Sequence, residues 1–114
     1  MIHTKFGDFP LKYTYNAIAE YEERFKRNII SDCARVNFHI IRCLLWAGLL
    51  HTGRSFSINE VGDMIENMIM EGADLVDIRE EVEKALDEAV FIRRLAEKTM
   101  ARQAEKRQEN PSAK

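Results

Sequence analysis

Residues 41–65, IRCLLWAGLLHTGRSFSINEVGDMI, decide the fold, because they read as an apolar helix, a short break and a second helix with a polar start. Setting 100° per residue puts Val36, Ile40, Cys43, Leu44 and Ala47 on one side of the first helix. Phe38, Ile41, Leu45 and Leu49 fill much of the opposite side, so this helix is expected to be central and largely buried. Ser31 or Asp32 is expected to cap its start, and Gly53, which tolerates a left-handed turn, to mark its end. Arg35, His39 and Arg42 form a narrow polar stripe, on which Trp46 also falls. Arginine four residues before tryptophan can stack on the indole, making Arg42 and Trp46 candidate partner-binding residues. Alternatively, Trp46 packs under the N-terminal segment. Ala47 and Gly48 lack bulk and let another element approach closely, although Gly48 costs roughly 1 kcal/mol of helix propensity against alanine.

On the other side of the break, Ser57-Ile58-Asn59-Glu60 is a capping box, in which Ser57 and Glu60 each satisfy the other's free amide. Ile58, Val61, Met64, Ile65, Met68 and Ile69 follow at helical spacing, and Gly72 ends the run. Asp74 can cap the next helix, whose stripe is Leu75, Ile78, Val82, Ala85, Leu86 and Ala89. Past Ala89 the pattern changes: Phe91 and Leu95 point away from that stripe while Arg93 falls on it. The helix therefore outgrows its own core. Phe91 and Leu95 become candidate partner-binding residues, with self-association the simplest use and Met64, Met68 and Met70 suited to adaptable contacts. From Ala101, ARQAEKRQENPSAK has no large apolar residue and is expected to be a frayed or disordered tail.

Toward the N-terminus, IHTKFGDFPLKYTY (residues 2–15) alternates apolar and polar positions around Gly7-Asp8, which predicts a small β-hairpin with a loop near Gly7. Pro10 has no amide to donate and should keep the second strand short. A helix is expected from Thr14 or Asn16, placing Ile18, Tyr21 and Phe25 on one face. The fold class is thus mainly α: a single domain over residues 1–100, with a hairpin over 1–14, about four helices over 15–100 and a polar tail over 101–114.

Composition narrows the function. The chain has 114 residues, 46% of them hydrophobic and 32% charged, enough for one compact domain. Its 17 lysines and arginines nearly balance 19 carboxylates, so no global field gathers nucleic acid or anionic lipid. The run Ile40–Leu50 is interrupted by Arg42 and is too short for a membrane span. Nothing at the start resembles a signal peptide. Cys33 and Cys43, ten positions apart in what reads as one helix, are expected to lie about 15 Å apart, beyond disulfide reach, as free thiols in a reducing cytoplasm. A helix-turn-helix is disfavoured, since Glu60, Asp63, Glu66 and Glu71 would meet the phosphates. His39 and Cys43 have the four-residue spacing of a zinc pair, but Cys33 and His51 lie too far along the helix to complete it. With no orienting third residue beside Cys43, no glycine-rich phosphate loop and no nucleotide fingerprint, no catalytic residue, metal or cofactor is expected, and the chain reads as non-enzymatic.

The order KFGDFPLKYTYNAIAEYEE, IIRCLLWAGLLHTG, SINEVGDMIENM and then a long amphipathic helix resembles the tail assembly chaperones of long-tailed, siphovirus-type bacteriophages and prophages. In that family a hairpin leads into a helix, and an LLWAGL-like helix precedes a capped EVGDLI-like one. The resemblance covers roughly residues 4–90, and LLWAGLLH followed by SINEVGDMI carries most of it; FIRRLAEKTMARQAEKRQ departs from the pattern. It implies a non-enzymatic scaffold in the host bacterial cytoplasm that binds the tape measure protein and recruits tail tube protein, and is absent from the finished tail. A longer product of the same gene, made by a programmed frameshift, is a further implication. The alternative is a small helical prophage regulator binding DNA or a host protein.

Overall fold

The computed structural model describes residues 2–109, and side chains as far as residue 102. The chain opens with two antiparallel strands, β1 (Ile2–Thr4) and β2 (Gly7–Phe9), in the register Ile2 opposite Phe9 and Thr4 opposite Gly7. The Thr4 hydroxyl donates to the Gly7 carbonyl at 3.0 Å and accepts from the Phe6 amide at 3.1 Å, closing the turn over Lys5-Phe6. Gly7, at φ 133°, begins the second strand instead of forming the loop. Helix α1 (Tyr15–Phe25) follows, capped by the Thr14 hydroxyl accepting from the Ala17 amide.

The central helix is the main departure from expectation at this end. It does not begin at Ser31 or Asp32; those residues belong to a one-turn helix α2 (Ile29–Asp32) capped by Asn28. α3 (Phe38–Gly48) starts later, with the Asn37 side chain accepting from the Ile40 amide at 2.8 Å. Asp32 does not cap; its carboxylate is drawn inward by Tyr21 and Arg27. Val36 and Phe38 therefore stand outside the buried part of the helix and are exposed, although the helical wheel had placed them with the core. Cys33 follows the last residue of α2 while Cys43 lies within α3, and both are free.

From Ile40 onward the expected burial holds. Ile41, Leu44, Leu45 and Leu49 are all essentially inaccessible, and α3 packs against α1, α4 (Ile58–Met70) and α5 (Leu75–Asp87). Each large aliphatic side chain so enclosed contributes about 1.5–3 kcal/mol. A single 3-10 turn (Leu50–Thr52) and Gly53, left-handed at φ 77°, end the helix region. Gly48 serves the close approach anticipated for it: a Cβ there would lie 2.9 Å from Tyr13 Oη and 3.0 Å from Leu11 Cδ2, and the Lys12 amide donates to the Gly48 carbonyl.

The expected capping box of Ser57 with Glu60 is formed on α4, and Asp74, expected to cap α5, does so in a second capping box with Asp77 that the sequence reading did not name. Val61, Met64, Ile65 and Met68 of α4 and Ile78, Val82, Ala85 and Leu86 of α5 are buried. Ile69 and Met70 instead face outward. The last helix of the expected scheme is two helices, because the chain breaks at Glu88-Ala89 before α6 (Val90–Glu109) begins. α6 runs through Ala101 to Glu109, where fraying had been expected; residues 110–114 of the expected tail lie outside the described residues. The described residues thus form six α-helices and a two-stranded sheet, mainly helical as the sequence indicates but divided more finely than four helices. The molecule measures 59 × 26 × 24 Å, and a 20-residue α6, about 30 Å long, accounts for the elongation.

Candidate partner-binding surface

The site is built where α6 leaves the body. The Arg93 guanidinium donates to the Asp87 carbonyl at 2.7 Å, satisfying one of the open carbonyls at the end of α5 and fixing the exit of α6. Ile92 turns into the core, whereas Val90, Phe91 and Leu95 are exposed, Leu95 by 61%. Phe91 and Leu95 lie one turn apart on one face, as their spacing requires. Beyond Ile92, each described side chain from Arg93 to Arg102 is exposed, so this stretch of helix is held by its root alone.

Opposite Phe91 stands Tyr15, the first residue of α1, 71% exposed and with its ring centroid 6.2 Å away. Between them opens a groove of about 650 Å³ with largely apolar walls, reaching Pro10, Leu11, His51 and Ala85. His51 Nε2 lies 2.6 Å from the Pro10 carbonyl; a carbonyl only accepts, so this nitrogen carries the proton and the ring ties the hairpin exit to the end of α3. A groove of this size with apolar walls and an apolar helix face beside it is suited to a protein segment with bulky apolar anchors. Tyr15 and Val90 were not singled out from the sequence. Tyr15 begins α1 and Val90 begins α6, and helical spacing within one element cannot show that the two meet at one groove.

Arg42 and Trp46 do not form the expected pair. Trp46 is buried: its indole N–H donates to the Phe56 carbonyl at 3.1 Å, its ring meets Phe25 edge-on at 5.4 Å, and the cation over its face is Arg24, at 4.6 Å. Arg24 comes from α1, which a helical wheel of α3 alone cannot show. Phe56 in turn packs edge-on against Phe9 of the hairpin, so Trp46 belongs to the packing beneath the N-terminal elements. Arg42 instead bonds His39 at 3.2 Å and lines a separate shallow groove with Phe38, Gly62 and Ile65. Arg42 and Phe91 are therefore parts of two different surfaces.

The polar clusters inside the body are structural. Tyr21 Oη donates to Asp32 Oδ2 at 2.6 Å, and the Arg27 guanidinium donates to both carboxylate oxygens at 2.8 and 3.1 Å. The Arg27 bonds hold the Asp32 carboxyl below its ordinary value, while burial and donation to Asp32 push the Tyr21 phenol upward. Tyr13, whose hydroxyl donates to the Leu44 carbonyl at 2.7 Å, is likewise raised by burial. Cys43 Sγ lies 3.6 Å from His39 Nε2, the one contact of the zinc-type spacing that the fold realises. Burial raises both cysteine thiols, which keeps them protonated and weakly nucleophilic at neutral pH. Among the described residues, no group of three or more His, Cys, Asp or Glu side chains is placed to hold a metal ion. No helix among them is long and apolar enough to cross a membrane.

The near balance of total charge conceals a division. Residues 1–89 carry sixteen carboxylates against ten lysines and arginines, whereas residues 90–109 carry six lysines and arginines against three glutamates. An acidic body thus bears a basic projecting helix, a contrast that whole-chain composition averages away and that counting by element recovers. Comparison with protein-family models, curated proteins and solved structures gave no match for this chain.

Proposed function

We propose that this chain is a non-enzymatic tail assembly chaperone, which binds the tape measure protein during phage tail assembly, brings tail tube subunits to it and is absent from the finished tail. The observation that carries the reading is the unpartnered face of α6, where Phe91 and Leu95 stand beside the Tyr15 groove. Apolar surface exposed on this scale favours a protein partner. The resemblance over residues 4–90 supplies the identity of that partner.

The mechanism is one of many modest contacts. A long helical tape measure offers repeated apolar anchors, and copies of the chaperone along it gain strength through multivalency, to which contacts between copies add. Release then requires no energy source, because incoming tube subunits displace chaperones from the same anchors. The test is co-expression with the tape measure protein of the same genome. A soluble tape measure that co-purifies with this chain supports the reading; an insoluble one beside a folded, soluble chain refutes it.

The alternative, a small prophage regulator, is favoured by one observation, the cationic side of α6 with Arg93, Arg94, Lys98 and Arg102. The carboxylates exposed along α4 weigh against α4 as a DNA-reading helix, but they leave α6 free to meet phosphates. Affinity for duplex DNA retained at moderate salt would place this reading first.

A further inference from the structure

α6 departs from the C-terminal end of α5, and beside the N-terminal half of α5 lies a second groove, of about 290 Å³. Its floor is apolar, made of Ile2, Met68 and Ile78, each nearly inaccessible. Its rim is acidic, made of Glu71, Asp77 and Glu81. On α6, Arg94, Lys98 and Arg102 follow at helical spacing on the same face as Phe91 and Leu95, so one exposed stripe is apolar near the body and cationic farther out. None of these three cations has an ion-pair partner among the described residues.

We propose that the outer part of α6 in one molecule docks into the acid-rimmed groove of a second copy of this chain. The methylene stems of Lys98 and Arg102 lie against the Ile2–Ile78 floor and their charges meet the rim at Glu71, which leaves Phe91 and Leu95 to the tape measure. The complementary surfaces are already present in one sequence, an acidic body and a basic projecting helix, and this makes a second copy the occupant the charges favour. The groove borders the N-terminal half of α5, at Asp77–Glu81, and α6 leaves from the other end of α5, about 10–15 Å farther along its axis. The contact is consequently heterologous: each copy offers a helix at one end and a groove at the other, and copies add head to tail without the closure a two-fold dimer imposes. This specifies the contact between copies in the chaperone reading, and it holds or fails separately from the identity of the tape measure.

The experiment uses the full chain alone, in sedimentation velocity from about 0.01 M to about 1 M salt, over which the Debye length falls from about 30 Å to about 3 Å. The expected result is concentration-dependent association at low salt, at least about tenfold weaker at high salt. Two variants then test the surfaces, Lys98→Glu/Arg102→Glu on the helix and Glu71→Lys at the rim. Each alone should be monomeric at low salt with unchanged helical circular dichroism. Their equimolar mixture should regain association, because each reversed surface finds its complement on the other variant. The proposal is overturned if the wild type is monomeric throughout, if association survives high salt or either reversal, or if the mixture stays monomeric. A monomeric chain that binds DNA through Lys98 and Arg102 also overturns it and assigns the stripe to nucleic acid. Should a reversed variant fail to fold, the salt series on the wild type still decides.

Discussion

Tyr21 donates its phenol hydrogen to Asp32 across 2.6 Å, and this short bond joins α1 to the one-turn helix that precedes the central helix. Arg27 completes the arrangement from the loop between them, so that the buried carboxylate receives three donors. A buried charge satisfied in this way fixes the path of residues 26–37, where few apolar side chains do so.

Replacing Tyr21 by Phe should therefore cost about 1.5–3 kcal/mol, the usual worth of a hydrogen bond to a charged group. The pH dependence has a definite sign. Because the folded state holds the Asp32 carboxyl below its unfolded value near 4, its stabilising contribution is complete above that value and is lost as pH falls through it toward the folded one. Urea unfolding should show a clear gap between wild type and Asp32→Asn at pH 7 that narrows in acid. A gap independent of pH would remove the ion pair from the account.

Two glycines in helices should respond oppositely to alanine. At Gly62, within α4, the new methyl would sit 3.4 Å from the flexible Arg42 Cδ, so the better helix propensity should prevail and stabilise by about 0.5–1 kcal/mol. At Gly48 it would meet Tyr13 Oη at 2.9 Å, where that hydroxyl donates to the Leu44 carbonyl, and the crowding should destabilise by about 1–3 kcal/mol. Thermal melting of the two variants decides both signs.

The N-terminal packing places Arg24, not Arg42, over the Trp46 ring. Arg24→Ala should accordingly shift the emission of this single tryptophan, and Arg42→Ala should leave it nearly unchanged. The reverse order would restore the arrangement that helical spacing alone suggests.

The central helix, the Ser57–Glu60 capping box, the Asp74 cap and the hairpin were legible because each rests on local signals: continuous apolar residues, Ser57 with Glu60, Asp74 with a following apolar stripe, and alternation around Gly7. The start of α3 was not legible. Asn28, Ser31, Asp32 and Asn37 are all acceptable caps, and the choice of Asn37 depends on Tyr21 and Arg27 withdrawing Asp32 into a tertiary bond. Phe91 and Leu95 could be read as surplus to the core from their angle on the helix. The groove they border could not, since it requires Tyr15 from a distant part of the chain.

Both thiols should resist alkylation. Burial raises Cys33 and Cys43, so little thiolate exists at pH 7.5 in the folded protein. Iodoacetamide should modify both sites readily in denaturant and at least about tenfold more slowly without it, a ratio set by exposure and thiolate fraction together. Rapid native labelling of Cys43 would mean that its contact with His39 activates the sulfur, and would reopen a chemical role for that pair.

The most direct measurement of the central claim is hydrogen exchange on the chain alone and in complex with the tape measure protein. The exposed stretch of α6 is expected to open locally in the free chain at high salt, where copies stand apart, so its amides should exchange early there. On binding, the account predicts slowed exchange over residues 90–99 and around Tyr15, with the Arg42 groove unchanged. Protection confined to the groove around Phe38 and Arg42, or none along α6, would contradict it.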